Sequence, residues 1–530
     1  MRTAVAAPHF TAVESGRAVG GNAFDAALAA AAALTVVYPH QCSLGGDLVA
    51  IVRPAGQAPR AVLSIGAAAA ATDVEGLRAA GDRMPTAGPQ TITVPGVVAG
   101  WAAIAALGAT RPLRELLAPA IALAENGVPV SPGLRRAAVA GLDAVRADPG
   151  LSALLLDGEA LRDHLVQPAL ARTLTAVGED WRSFYDRPPL AEGLRELGSP
   201  LTVADFAAHR AEVTDPLTRT VDGVVWSAAP PPVQGATFLD LVGSKTLLAD
   251  AWRARAARDR FLGDPRTGPI NLAGLLPNHP PAPAAGLVAG PAAASPVSKS
   301  EISERHSGGG SGLRPTGDTV AVVAVDSEGN AVTLIQSVFF SFGSGLLDPA
   351  TGVVLHNRGA SFSLDPAHPA RIAPGMRPPH TLCPTLGVIE DGVIALGCQG
   401  GRSQPWILAQ VAEDVVDAAD LAALVARPRW VIGTEEIGRP VPTLLLEPGL
   451  GETPGAGETP RLDGAPGPSE TPGLDGAPGL GGAAREYVVE TAPGLHDDAG
   501  HVQVARLRGG VLDAGSDPRA DGRAEVFSGG

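Results

Sequence analysis

The sequence predicts an α+β fold, and three stretches carry that prediction. Ala23–Val37 is apolar and mostly alanine, long enough for a buried helix, and lies between two short strand-like runs. Residues 100–210 read as mainly helical, with short Pro and Gly breaks. Val320-Ala321-Val322-Val323-Ala324-Val325 is a continuous apolar run rich in β-branched residues, the pattern of a strand covered on both faces.

Taken in order, the first strand starts near Ala4. Gly20-Gly21-Asn22 supplies a turn and an N-cap for the helix, and Tyr38-Pro39 stops it. A strand follows at Leu48–Val52. Residues 216–227 read as strands, and Pro230-Pro231-Pro232 is an extended stop before a helix around Thr237–Leu248. The composition then shifts. Residues 278–316 are Pro, Ala, Gly and Ser with few large apolar side chains, which predicts a flexible linker ending abruptly at the strand of Val320. A second low-complexity stretch, about 447–484, repeats Gly-Glu-Thr-Pro-Gly and Leu-Asp-Gly-Ala-Pro-Gly. It has no apolar periodicity and reads as a disordered surface insertion, with strand-like sequence resuming at Glu486-Tyr487-Val488-Val489.

Composition excludes several functions. A chain of 530 residues, 45% hydrophobic, is large enough for a sizeable core in several domains or one extended fold. The formal net charge of −15 argues against nucleic-acid partners and against an acidic membrane surface. Cys42, Cys383 and Cys398 are too few for a disulfide framework and have no metal-ligand spacing, so neither metal nor cofactor is expected. Walker A, Gly-x-Ser-x-Gly and His-Glu-x-x-His motifs are absent. The N-terminus lacks the form of a signal peptide, and Ala23–Val37, interrupted by Asp25, is too short to span a bilayer; a cytoplasmic protein is expected.

The chemical centre is placed at Asp318-Thr319-Val320. Strands Val320–Asp326 and Asn330–Ser337, joined by Ser327-Glu328-Gly329, form a three-residue hairpin with its glycine left-handed. Paired numbers then sum to 656, which sets Thr319 opposite Ser337. A threonine hydroxyl needs a base. Cutting the bond before Thr319 would free an α-amine whose reference pKa of about 7.7–8.0 suits that task. The loop Gly397-Cys398-Gln399-Gly400-Gly401-Arg402 offers backbone N–H groups to an oxyanion, although most paired glycines serve turns.

Blocks along nearly the whole chain resemble the γ-glutamyltranspeptidase family, in family order. They are Gly20–Ala27, Ser43–Asp47, Val94–Trp101, Pro230–Pro232, Asp259–Pro265, Phe342–Gly345 and Gly515–Arg519. The resemblance implies a four-layer αββα N-terminal-nucleophile hydrolase, cut into a large chain 1–318 and a small chain 319–530 that stay together. It also implies Thr319 as nucleophile, Ser337 as its supporting hydroxyl, and Gly400 and Gly401 as the oxyanion hole.

The substrate positions depart from the transpeptidases proper. Thr72 stands where an arginine for the γ-glutamyl carboxylate is expected, and Phe339 where an asparagine is expected. Arg358 and Ser361 replace the glutamine and aspartate that hold the amino group, and His380 and Thr381 replace paired serines. Gly45-Gly46-Asp47-Leu48, Leu334-Ile335-Gln336-Ser337, Asn357-Arg358-Gly359 and Pro378-Pro379-His380-Thr381 instead resemble the acylase and oxamate-amidohydrolase-like branch. Arg358 suits a substrate carboxylate or a structural acid equally; His380 suits a structural or a catalytic role. Asp47 is read as a loop-orienting residue. The implied activity is hydrolysis of a small carboxylated amide through an acyl-threonine. A true γ-glutamyltransferase and an inactive binding scaffold remain alternatives. A denaturing gel separates enzyme from scaffold, since the uncut chain has a mass of 53.4 kDa.

Overall fold

The computed structural model describes residues 1–279, 317–450 and 487–528. The predicted linker, from 280 on, and residues 451–484 of the predicted insertion lie outside them. Glu447, where that insertion was expected to begin, is instead buried. Its carboxylate accepts from the Arg429 N–H at 2.8 Å and from Arg519 Nε at 2.8 Å, so the start of the insertion lies beyond it.

Two antiparallel sheets dominate. We number their strands β1 (Arg2–Ala7), β2 (Asp47–Arg53), β3 (Arg60–Ser64), β4 (Glu212–Thr214), β5 (Leu217–Val221), β6 (Val224–Ala228), β7 (Gly317–Asp326), β8 (Ala331–Phe340), β9 (Thr385–Ile389), β10 (Gly392–Cys398), β11 (Val502–Arg508), β12 (Val511–Ser516) and β13 (Arg523–Ser528). The first sheet runs β13-β1-β7-β8-β2-β3-β4 and the second β12-β11-β10-β9-β6-β5. Helices α1 (Phe10–Val19), α2 (Ala23–Val37), α3 (Val97–Gly108) and α4 (Leu113–Asn126) cover the outer face of the first sheet. Helices α5 (Gly235–Leu241), α6 (Leu247–Phe261), α7 (Gln404–Ala412) and α8 (Leu421–Ala426) cover that of the second. The layers are therefore αββα.

Strand β7 shows why its sequence is apolar at every position. Val320, Val322 and Ala324 pack toward the helices, while Ala321, Val323 and Val325 pack into the layer between the sheets. In α2, Asn22 and Asp25 form a reciprocal capping box, worth roughly 1 kcal/mol. Asp25 also accepts the N–H groups of Thr110 and Arg111, so the charge interrupting the apolar run is buried but fully bonded. Helix α1 was not legible in the sequence. The single helix expected around 237–248 is two, α5 and α6, separated at Gly243, whose φ of 77° ends the first.

The hairpin follows the expected register from Val325↔Ala331 to Val320↔Gln336. Its turn closes at Gly329, with φ 89°. Between Val320 and Asp318 the register shifts, with Asp318 opposite Phe339. Ser337 and Val338 thus face the single residue Thr319 across a β-bulge.

Candidate active site

The bulge gathers three polar groups at one point. Thr319 Oγ1 donates to Ser337 Oγ at 3.1 Å. Ser337 Oγ donates to the Asp318 carbonyl at 2.7 Å and accepts the Phe339 N–H at 2.8 Å. Thr319 and Ser337 are both about 1% exposed, so these bonds form away from water. Burial pushes the Asp318 carboxyl up to about 7. The Gly401–Ser403 turn, with Gly400 just before it, packs against β7. Gly400 and Gly401 have φ 141° and 51°, and no hydrogen bond from either N–H is found among the described residues. Both N–H groups are therefore unused donors among the described residues.

A second cluster lies around Arg358, which is fully buried. Nη1 donates to Thr381 Oγ1 at 3.1 Å, while Nε and Nη2 have no hydrogen-bond partner among the described residues. The Phe339 ring centroid lies 3.9 Å from the guanidinium, a cation–π contact, and the Phe339 backbone is left-handed, φ 81°. Burial lowers the Arg358 pKa to about 9, opposed by Asp47. Asp47, the cross-strand neighbour of Ser337, is also fully buried. Its Oδ1 accepts the Gly66 N–H at 3.0 Å, and its Oδ2 lies 3.2 Å from His380 Nε2 and 3.5 Å from His356 Nδ1. His380 Nδ1 accepts the Leu382 N–H, so Nε2 carries the proton and donates to Asp47. Burial pushes Asp47 up to about 7, against Arg358 and the Gly66 N–H. It holds His380 well below 6.5 and His356 at about 3.

A cavity of about 210 Å³, lined in part by Phe339, Ser361, His380, Thr381, Gln234 and Arg402, adjoins this cluster. Gln234 Nε2 ties its walls together by donating to the carbonyls of Thr381 and of Gly401, the latter at 3.0 Å.

The family model described as Gamma-glutamyltranspeptidase matches residues 17–452. The chain belongs to the gamma-glutamyltranspeptidase family. It is 38% identical over 462 residues to an oxamate amidohydrolase proenzyme of Klebsiella pneumoniae, covering 81% of this chain and 84% of the relative. It is 31% identical to a glutathione hydrolase-like proenzyme of Bacillus subtilis, over 81% of this chain and 85% of that one. The structure is similar to a cephalosporin acylase from Bacillus halodurans, with TM-score 0.77 and 25% identity over 99% of this chain and 95% of that chain. The chain is thus an enzyme of this family, with the N-terminal-nucleophile hydrolase fold.

Within this family member, the predicted residues fall into two groups. Thr319 and Ser337 come together at the start of β7, Gly400 and Gly401 lie at the turn that packs against that strand, and Arg358, Phe339, His380 and Thr381 come together beside the cavity. Thr72 joins neither group: its hydroxyl donates to the Ala69 carbonyl at 2.8 Å, closing a local turn. Sequence reasoning missed four participants. Asp47 was read as orienting loops, yet it is the only carboxylate that acts on the buried Arg358 among the described residues. His356 and the Gln234–Arg258 pair, 2.9 Å apart, were not singled out. Gly-Gly-Asp before β2 was the available signal for Asp47. Among the described residues no group of three or more His, Cys, Asp or Glu could hold a metal ion, and no helix is long and apolar enough to cross a membrane. The three cysteines are buried and free.

Proposed function

We propose that this enzyme is a self-cleaving N-terminal-threonine amidohydrolase that hydrolyses small amides bearing a carboxylate on the acyl side. The observation that carries the reading is the contact of Thr319, Ser337 and the Asp318 carbonyl in one buried bulge. In maturation, Thr319 Oγ1 attacks the Asp318 carbonyl carbon, and the Ser337 hydroxyl, already bonded to that oxygen, stabilises the developing oxyanion. Collapse breaks the C–N bond, the proton given up by Thr319 Oγ1 passes to the departing Thr319 nitrogen, and an ester is left on Thr319. Water hydrolyses the ester, giving fragments 1–318 and 319–530 and a free α-amine.

In turnover that amine takes the proton of Thr319 Oγ1 as it attacks the substrate amide. The Gly400 and Gly401 N–H groups receive the oxyanion, ammonia or an amine departs with a proton, and water releases the acid. Arg358, with two unused N–H-bearing nitrogens, receives the acyl carboxylate. A γ-glutamyl group would bring an ammonium toward that same guanidinium, which is unfavourable in a buried site. The similarity to an oxamate amidohydrolase proenzyme supports this class of substrate.

The test pairs a gel with two assays. Edman sequencing of the smaller fragment should begin at Thr319, and the processed enzyme should release ammonia from oxamate far faster than it cleaves γ-glutamyl-p-nitroanilide. Efficient turnover of the anilide with stimulation by a dipeptide would restore the ordinary transpeptidase. A single uncut band without activity would favour the binding scaffold.

A further inference from the structure

We propose that Gln234 is the positioning residue of the oxyanion loop, a single side-chain amide that fixes the Gly400–Gly401 turn against the acyl pocket. The inference rests on the reading of the Gly400 and Gly401 N–H groups as the oxyanion donors. Gln234 is 1% exposed and stands just before α5, where its backbone N–H donates to the His380 carbonyl at 3.1 Å. Its Nε2 donates to the carbonyls of Thr381 and Gly401, the latter at 3.0 Å, which uses both of its hydrogens. Its Oε1 accepts from Arg258 Nη1 at 2.9 Å. The reversed amide would set an oxygen against two carbonyls and an NH2 against a guanidinium, so one orientation alone satisfies these neighbours.

The turn needs such a restraint. Gly400 and Gly401, with φ 141° and 51°, lie in a backbone region that glycine enters freely and other residues rarely do. Two such residues in succession leave a turn able to pivot, whereas an oxyanion donor works only when it is already aimed. Three successive carbonyls are held here. That of Gly400 accepts the Ser403 N–H at 2.8 Å, that of Gly401 accepts Gln234 Nε2, and that of Arg402 accepts Arg258 Nη1 at 2.6 Å. Because a peptide unit is planar and trans, holding the Gly400 carbonyl sets the direction of the Gly401 N–H. The first of these bonds is internal to the turn. The other two, from Gln234 and Arg258, tie the turn to the body of the protein. Arg258 is 3% exposed and ion-paired with Asp259 at 3.0 Å, so the brace behind Gln234 is itself fixed.

The other arm of the amide reaches the acyl pocket. Thr381, whose carbonyl takes the second Nε2 hydrogen, accepts Arg358 Nη1 on its hydroxyl at 3.1 Å. Gln234 therefore couples the receptor for the acyl carboxylate to the turn that receives the oxyanion, although Thr381 precedes β9 and the turn follows β10. Gln234 and Arg258 belong to 1–318 and the two segments they hold belong to 319–530, so after self-cleavage one fragment aims the donors of the other. Self-cleavage itself does not use this clamp, since its oxyanion forms on the Asp318 carbonyl, which accepts from Ser337 Oγ at 2.7 Å.

Gln234→Met and Gln234→Glu test this in the full-length chain. Methionine keeps the length of the side chain and drops its three side-chain bonds. Glutamate keeps the bond from Arg258 but turns an acceptor toward two carbonyls. Each variant is followed on a denaturing gel for self-cleavage. The cut enzyme is then assayed for kcat and KM on whichever of oxamate and γ-glutamyl-p-nitroanilide the wild type turns over. Self-cleavage should run at the wild-type rate, which also shows that the variant has folded. In both variants kcat should fall about 100-fold, the loss that follows when a catalytic group is misplaced by about 1 Å, while KM changes little. An unchanged kcat in a variant that cuts itself overturns the inference, and so does a loss carried by KM. Equal losses of self-cleavage and of kcat would reduce Gln234 to a packing role and overturn it as well. Should Gln234→Met not fold, Gln234→Glu, with its ion pair to Arg258, decides by the same criteria. A processed wild type inactive on both amides would defeat the underlying reading, a result seen without any variant, and the inference with it.

Discussion

Ser337→Ala separates a structural from a chemical role for the bulge. The hydroxyl holds three bonds at once, to Thr319 Oγ1, the Asp318 carbonyl and the Phe339 N–H, at 3.1, 2.7 and 2.8 Å. Its loss leaves the buried Phe339 N–H unsatisfied, a cost of about 1–3 kcal/mol in stability. The chemical cost is separate. Removing a donor aimed at a developing oxyanion lowers a rate by about 10²–10³, or roughly 2.7–4 kcal/mol in the barrier. Self-cleavage of Ser337→Ala should therefore slow by that factor, followed on a denaturing gel as the 53.4 kDa band divides. Stability should be measured in a Thr319→Ala background, where the chain stays whole and urea unfolding is unimolecular. Ser337→Thr should recover most of the rate. Cleavage of Ser337→Ala at the wild-type rate would show that the bond to the Asp318 carbonyl plays no part in the chemistry.

Other outcomes follow from the same geometry. Thr319→Ala should remain a single inactive band, and a cut elsewhere would displace the nucleophile. Arg358→Met should lose roughly 2–5 kcal/mol of transition-state binding for oxamate, at least about 30-fold in kcat/KM, yet unfold no more easily, because a buried cation with two unpartnered nitrogens is removed. Glu447→Gln should destabilise by about 3–5 kcal/mol in urea, because Arg519 would lose a buried partner. Stability should also fall in acid. His9, His40, His209, His356 and His380 are all lowered by burial, to about 4, 3, 3, 3 and well below 6.5. Unfolding lets them bind protons below 6.5, so the stability they contribute is present above 6.5 and lost as pH falls toward 3. Asp47 and Asp318, raised to about 7, and Asp148 and Asp240, also raised by burial, oppose this above 3.8, but four acids do not offset five histidines. The urea midpoint should drop from pH 7 to pH 5, and a flat profile would contradict the sign worked out here.

The sequence carried the hairpin register because one turn residue, Gly329, and an unbroken run of small apolar residues left little freedom in pairing. It did not carry the bulge, because a one-residue irregularity depends on what lies opposite. The bulge is what brings Ser337 onto the Asp318 carbonyl. The Asp47–Arg358 cluster was illegible for a different reason. Its members, on β2, after β8 and before β9, meet only through the order of strands, and no local pattern records burial. Thr72 was placed by alignment with the family's arginine, but its side chain serves its own turn. Glu447 lay in a stretch of weak composition, yet the ion pair to Arg519 and the N–H groups of Arg429 and His496 fix it in the core.

The order of strands in the first sheet has a consequence for the life of the molecule after self-cleavage. A cut before Thr319 would leave β1, β2, β3 and β4 on one piece and β7, β8 and β13 on the other. In the sheet these alternate: β1 lies between β13 and β7, and β8 between β7 and β2. The two pieces are interleaved like fingers of clasped hands. They cannot part without tearing several ladders, so the working enzyme should persist through a high barrier to opening. Once opened, it would have to reassemble from two separate molecules, with a probability set by dilution. Folding would then be an act the chain performs once, while whole, and the cut makes it irreversible.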